Sequence, residues 1–220
     1  MRDDEFLASF TDDERKTLEE LGRRRQFGAG QVLFSEGDEG HDVVLLLEGA
    51  VKIVSTAPSG KEIILDVMET NELLGELSAI DGEPRSATAV ALTRVEVLII
   101  PTREFTSFLE QHGAVATALL RVVAARLRRS SQRQLEFGTN DALGRLCSCL
   151  LRMVDSSSAD ADRHAVSMLL AQHEIAALTG LSREAVVKGL RALRELGWID
   201  LQGRDLTVLD EAALRARAAG

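Results

Sequence analysis

Sulfur and imidazole are scarce in this chain: two cysteines and four histidines in 220 residues. An iron–sulfur cluster or a structural zinc site generally takes four converging ligands. Here the histidines, His41, His112, His164 and His173, are scattered, and Cys147 and Cys149 stand apart from them, so no metal centre is expected. If Ala142–Val154 forms a helix, residues two apart face different directions and the two thiols cannot bridge each other. Both are expected in a core. Long apolar runs are missing too. The best candidates are broken by charges such as Glu48 and Arg121, far short of the ~20 residues that cross a bilayer. Met1-Arg2-Asp3-Asp4-Glu5 is acidic with no hydrophobic region behind it. No secretory signal is therefore expected, no membrane partner, and the expected location is the cytoplasm.

What the chain does have is a 45% apolar fraction at a mean hydropathy near zero, enough to build cores in one large or two smaller domains. The net charge of −9 argues at first against nucleic acid, but it is uneven. Residues 1–140 carry 16 basic and 24 acidic groups, whereas 141–220 carry 10 and 11. Within Ser182–Leu196, Arg183, Lys188, Arg191 and Arg194 outnumber Glu184 and Glu195. Overall acidity leaves room for a local DNA-binding face.

In chain order, Phe6–Leu21 reads as a helical entry, with Thr11 as cap and Asp12, Asp13 and Glu14 suited to the helix dipole. Arg23-Arg24-Arg25 reads as a solvated turn. From Phe27 to Ile100 short apolar runs alternate with glycine-bearing turns: Gln31–Phe34, Val43–Leu47, Ala50–Val54, Glu62–Met68, Thr88–Leu92 and Val95–Ile100. That texture predicts an antiparallel sandwich or barrel. A helical segment starts at Pro101, with Gly113 as an interruption. A long helix follows over 114–137, in which Leu120, Val123, Leu127, Ser130, Gln134 and Phe137 form a heptad seam suited to pairing with a second copy. Phe137–Asp141 reads as a hinge, Asn140 or Asp141 as the cap of the next helix, and Asp155–Asp160 as a loop.

The most informative stretch is Gly75-Glu76-Leu77-Ser78, followed by Arg85-Ser86-Ala87-Thr88-Ala89. Glycine lets backbone amides approach an anion. A carboxylate such as Glu76 accepts from a sugar hydroxyl, and the Arg85 fork suits a phosphodiester. A ribose fused to a phosphate satisfies all of these. The run resembles the phosphate-binding cassette of cyclic-nucleotide-binding domains. Asn71 stands where that cassette commonly has a preceding glycine; asparagine tolerates the left-handed conformation better than most residues.

Gln172–Leu190 resembles a helix-turn-helix, with Gly180 as the tight turn and Ser182 capping the second helix. Arg183, Glu184 and Lys188 then sit near the exposed start of that helix, where groove readers place base contacts. Arginine can take guanine O6 and N7, and glutamate can accept from cytosine N4. Gly203 marks a hairpin wing over Leu201–Leu209, and Trp198 reads as core. Together the two motifs resemble the Crp–Fnr family of transcription regulators, of the cyclic-AMP receptor protein type. The pattern Ser-Arg-Glu-x-Val-x-Arg is matched at Ser182, Arg183, Glu184 and Val186. Lys188 departs from it and loses the bidentate fork. Ala171 departs from the usual hydroxyl cap, and Gln172 stands where some members place a basic phosphate contact.

The resemblance implies an α+β protein: a cyclic-nucleotide-binding β-roll with an N-terminal helix over 1–113, a dimerisation helix over 114–137, and a winged helix-turn-helix over 138–220. The implied ligand is cyclic AMP, with cyclic GMP an alternative. The implied ligand residues are Gly75, Glu76, Leu77, Ser78, Arg85, Ser86 and Ala87. Arg126 matches a family arginine near the cassette glutamate, and Ser130 and Ser131 match positions that contact the adenine amino group. Ser182, Arg183, Glu184 and Lys188 are the implied DNA contacts. The implied partners are a second copy, a pseudo-palindromic duplex and RNA polymerase. Two rivals stay open: the same fold with another effector or with constitutive DNA binding, and a nucleotide hydrolase. Scattered histidines and the lack of a paired-carboxylate motif speak against the hydrolase.

Overall fold

The structure, a computed structural model, describes residues 5–8, 10–156, 165–167, 170–203 and 205–219. It divides into two compact units, residues 1–128 and 129–220.

The first unit opens with α1 (Glu5–Ala8) and α2 (Asp12–Leu21). Thr11 caps α2 reciprocally: its hydroxyl accepts from the Glu14 N–H at 3.2 Å, and the Glu14 carboxylate accepts from the Thr11 N–H at 2.7 Å. These bonds hold the Glu14 carboxyl below its ordinary range. The strands β1 (Arg23–Phe27), β2 (Val32–Phe34), β3 (Asp42–Glu48), β4 (Val51–Thr56), β5 (Glu62–Met68) and β6 (Leu73–Leu74) follow. Next come α3 (Glu76–Asp81), β7 (Thr88–Ala91) and β8 (Val95–Pro101). The strands form two four-stranded antiparallel sheets, ordered β1-β8-β3-β6 and β2-β7-β4-β5. Residues Val43 to Leu46 of β3 are all buried because the strand separates two cores. Val43 and Leu45 pack with Phe6, Phe105 and Val122 of the helical layer, while Val44 and Leu46 pack with Val51, Met68 and Ala89 between the sheets. A strand covered on both faces reads as a continuous apolar run.

Arg23-Arg24-Arg25 is not a turn. It is most of β1, an edge strand paired with β8 from Arg23↔Ile99 to Phe27↔Val95. All three arginines are exposed, and Arg24 reaches Glu96 at 3.0 Å. Charged side chains are what an edge strand tolerates, so local composition read as a turn. The two-residue β6 is too short for a periodic signal. Asn71 does adopt the left-handed conformation, with φ of 74°.

After β8 come α4 (Thr102–Gln111) and α5 (Gly113–Thr139). They break at His112, whose ring lies over Phe108 with centroids 4.3 Å apart. Gly113 begins the long helix, and Gly138 lies within it. Val115, Ala118, Leu119, Val122 and Ala125 form its buried stripe, with spacing that keeps them on one face. Leu120 and Leu127 of the predicted seam are 67% and 68% exposed, whereas Val123 is partly buried against the unit's own core.

The second unit contains α6 (Ala142–Ser156), β9 (Ala165–Ser167), α7 (Gln172–Thr179), α8 (Arg183–Glu195), β10 (Ile199–Gln202), β11 (Asp205–Val208) and α9 (Glu211–Ala218). Asp141 caps α6 by accepting from the Gly144 N–H at 2.9 Å and also pairs with Arg217. Asp155 and Ser156 are helical rather than the start of a loop; the remainder of that predicted loop, 157–160, and His164 lie outside the described residues. Gly189 lets α8 approach α6, because a Cβ there would stand 2.6 Å from Leu146 Cδ2. Cys147 and Cys149 are free and fully buried, and burial pushes the Cys147 thiol up to about 11. The wing hairpin gains β9 as a third strand, in the order β10-β11-β9. Neither β9 nor α9 was anticipated from the sequence.

Candidate functional site

Gly75 makes the space for Arg85, and Gly40 makes the space for Ser78 beside it. Gly75, at the entry to α3, has φ of 76°, and a Cβ there would lie 2.0 Å from Arg85 Nη1. A Cβ on Gly40 would lie 2.3 Å from Ser78 Cβ and 3.6 Å from Arg85 Nη1. Into this space the Arg85 side chain enters almost completely, 3% exposed. Burying a guanidinium is costly unless its donors are met. Nη1 donates to the Gly75 carbonyl at 2.8 Å, and Nη2 donates to the Asp42 carbonyl at 2.7 Å and to Asp42 Oδ1 at 2.6 Å. The Phe34 ring covers the group, with its centroid 4.4 Å from Cζ. One guanidinium nitrogen has no partner: Arg85 Nε is buried without a hydrogen-bond acceptor.

Glu76 is also buried, at 3% exposure, in the first turn of α3. Its Oε1 accepts from Arg126 Nη1 at 2.7 Å, and Arg126 Nη2 donates to the Leu73 carbonyl at 2.8 Å. The arginine of α5 is thus tied both to the cassette carboxylate and to the strand before it. Ser78 and Ala87 are buried, while Leu77 and Ser86 are exposed. Gly75, Glu76, Arg85 and Arg126 are therefore linked by direct contacts within the first unit. Ser130 and Ser131 belong to the second unit, and both are exposed. Asp42, Phe34 and Gly40 were missed as site residues. No local pattern links Asp42 to an arginine 43 positions later.

The cassette therefore offers a glycine-bearing backbone turn, a guanidinium with an unmet donor and a carboxylate that can accept from hydroxyls. That chemistry fits a phosphodiester bearing a sugar hydroxyl. A Cβ at Gly75 would displace the Arg85 guanidinium. Among the described residues, no group of three or more histidine, cysteine, aspartate or glutamate side chains is placed to hold a metal ion, and no helix is long and apolar enough to cross a membrane.

In the second unit, α7 and α8 are joined through Gly180, whose φ is 68°. A Cβ on Gly180 would meet the Phe137 ring at 2.9 Å, so Phe137 of the predicted seam faces this turn within its own unit. Ala171 has no side-chain acceptor, but the Glu174 carboxylate still accepts from the Ala171 N–H at 2.9 Å. Ser182 accepts from the Ala185 N–H at 3.1 Å and starts α8. Val186, Leu190 and Leu193 are buried, and Ser182, Arg183, Glu184 and Lys188 are exposed. The Glu184 carboxyl is held below its ordinary range by its own backbone amide and by the Ser182 hydroxyl. It stays an acceptor over the whole neutral range.

Comparison with known proteins is consistent across both units. A family described as the cyclic nucleotide-binding domain matches residues 24–112, and one described as the Crp-like helix-turn-helix domain matches residues 144–217. The chain is 33% identical over 193 residues to the CRP-like cAMP-activated global transcriptional regulator of Mycobacterium tuberculosis, covering 87% of this chain and 86% of that protein. It is 31% identical over 200 residues to the cyclic AMP receptor protein of Thermus thermophilus, covering 90% and 89% respectively. Among solved structures, FixK2 from Bradyrhizobium japonicum superposes with a TM-score of 0.81 at 20% identity, over 91% of this chain and 98% of that one, a likeness of fold.

Proposed function

The chain belongs to the Crp–Fnr family of cyclic-nucleotide-binding, helix-turn-helix transcription regulators, and from that premise we propose that cyclic AMP is its effector and a homodimer its DNA-binding form. Members of this family are regulators rather than enzymes, so the nucleotide is read and released unchanged. The observation that carries the effector reading is the buried Arg85 guanidinium, held against the Gly75 turn through Nη1 and left with an Nε donor that has no acceptor. A cyclic phosphate would supply that acceptor and would receive the amides of Gly75, Glu76 and Ser86. Leu77, Ser78 and Ala87 shape the cassette around it. Glu76, oriented by Arg126, would accept from the ribose 2′-hydroxyl. Ser130 and Ser131 would meet the adenine amino group. Both comparison regulators are named for cyclic AMP, which favours that base.

The exposed apolar pair Leu120 and Leu127, seven residues apart on α5, supports the homodimer. The working division is an effector unit over 1–113, a dimerisation helix over 114–137 and a DNA reader over 138–220. Arg183, Glu184 and Lys188 would read a pseudo-palindromic duplex, and the bound regulator would act on RNA polymerase.

Calorimetric titration with cyclic AMP and cyclic GMP tests the effector. The expected result is binding of cyclic AMP in preference to cyclic GMP. That binding should be lost in Arg85→Leu and weakened in Ser130→Ala, which leaves the cassette intact. Equal affinity for both nucleotides would overturn the choice of base. Binding of neither would overturn the effector while leaving the family and its DNA reader in place.

A further inference from the structure

The reading face of α8 carries one apolar side chain that the DNA assignment above does not use. Val187 is 44% exposed, although the helix buries the apolar residues Val186, Leu190 and Leu193 on its other side. At helical spacing Val187 lies one turn beyond Arg183 and Glu184 and one turn before Arg191, all of them exposed. It is the apolar member of a face otherwise made of long charged side chains. Valine at this partly exposed helical position contributes less burial than Val186, Leu190 or Leu193, and it is a poorer helix former than the arginine, glutamate and lysine around it. What it offers is stiffness. In a helix its χ1 occupies essentially one rotamer, so two methyl groups are held in place with little ordering cost. The neighbouring arginines and lysine lose far more side-chain freedom on binding.

In a major groove, the group that matches such a rigid apolar surface is the 5-methyl of thymine, the apolar feature on a base edge otherwise made of donors and acceptors. We propose that Val187 is a specificity-determining residue of the DNA reader, selecting thymine at one position of each half-site by packing on its 5-methyl group. The inference rests on the family reading that α8 enters the major groove. It is independent of the effector.

The test isolates that methyl. A binding-site selection with the full-length protein and cyclic AMP supplies the preferred duplex. Each thymine of that duplex is then replaced in turn by deoxyuridine, which removes the methyl and leaves the hydrogen-bonding edge intact. Affinities are read by fluorescence anisotropy at fixed salt. Burying one methyl-sized group corresponds to about fourfold in affinity. One thymine position should therefore show a loss of about fourfold when substituted in one half-site and about fifteenfold when substituted in both. Val187→Ser, at an exposed position and with a thermal melt to verify folding, should bind the thymine duplex more weakly and be indifferent to deoxyuridine at that position. Retained sequence preference with no deoxyuridine effect overturns the inference alone, as does an effect that persists unchanged in Val187→Ser. Loss of all sequence preference in the wild-type protein overturns the groove-reading premise and the inference with it.

Discussion

Gly75 and Gly82 stand at the two ends of α3 with nearly the same backbone conformation, φ of 76° and 75°. Their surroundings differ. A Cβ on Gly82 would meet nothing within 4 Å, while one on Gly75 would stand 2.0 Å from Arg85 Nη1 and 2.8 Å from its Cζ. The pair therefore separates backbone strain from displacement of the arginine. Placing alanine in the left-handed region costs about 1–2 kcal/mol at either end. At Gly75 the guanidinium must also leave, and its hydrogen bond to the Gly75 carbonyl goes with it, about 1.5–3 kcal/mol for a charge-assisted bond. Gly82→Ala should thus lower the melting temperature by about 2–8 °C and keep cyclic AMP affinity within a few-fold of wild type. Gly75→Ala should lower it by about 5–20 °C and abolish effector binding. Differential scanning fluorimetry and calorimetric titration of the two variants side by side measure both quantities. Wild-type affinity in Gly75→Ala would refute the role of this turn in positioning Arg85 for a phosphate, because the present placement of the guanidinium does not survive a carbon atom 2.0 Å from Nη1.

Three further outcomes are expected. Asp42→Ala removes the anionic partner of a buried guanidinium and should cost about 2–4 kcal/mol in the ligand-free protein; cyclic AMP, bringing a replacement anion, should then raise the variant's melting temperature by more than it raises the wild type's, and equal shifts would refute the competition. Leu120→Glu with Leu127→Glu places charge at two exposed apolar positions of α5, and should weaken the homodimer by about a thousandfold on ultracentrifugation, taking about 1.5 kcal/mol for each of the leucines lost across both helices, with part of the sum regained by rearrangement. Cys147 and Cys149 should resist a thiol reagent at pH 8 in the folded protein, and both should react in urea. Burial raises the Cys147 thiol from 9.0 to about 11, so its contribution to stability is complete below about pH 9 and is lost as the pH climbs toward 11; a denaturant midpoint unchanged across that window would contradict it.

What was legible in the sequence follows from the range over which each contact acts. Thr11 and Glu14, Ser182 and Ala185, and Asp141 and Gly144 are three residues apart, and a cap is a local hydrogen bond that its residue types announce. Gly75 and Arg85 are ten apart and were recognisable because the ligand chemistry they share constrains both. The terminal helix α9 also carries a local signal, since Asp210 accepts from the Ala213 N–H at 2.8 Å ahead of a run of helix formers. The arginines of β1 were misread because an exposed edge strand and a solvated turn tolerate the same side chains. The seam on α5 was read as one stripe. Its members divide: Leu120 and Leu127 are exposed, Val123 joins a core, and Phe137 turns to Gly180.

The sharpest difference between sequence and structure concerns charge. Read along the chain, the cassette offers a phosphate the full positive charge of Arg85. In the fold, Arg85 is matched by Asp42 and Glu76 is matched by Arg126, two ion pairs at 2.6 and 2.7 Å. The four groups sum to zero. On the proposed reading, attraction for a singly charged cyclic phosphodiester would come instead from the backbone amides at the start of α3 and from the guanidinium N–H groups, Nε among them, that Asp42 and the Gly75 carbonyl leave unused. Directional hydrogen bonding, rather than bulk charge, would then select the ligand. A neutral pocket of this kind discriminates a cyclic phosphate bearing a correctly placed hydroxyl from the more highly charged linear nucleotides, which a strongly cationic pocket would draw in more tightly. Competition by linear AMP and ATP should accordingly be weak even at low ionic strength, and displacement of cyclic AMP by either at comparable concentration would show that net charge governs the site after all.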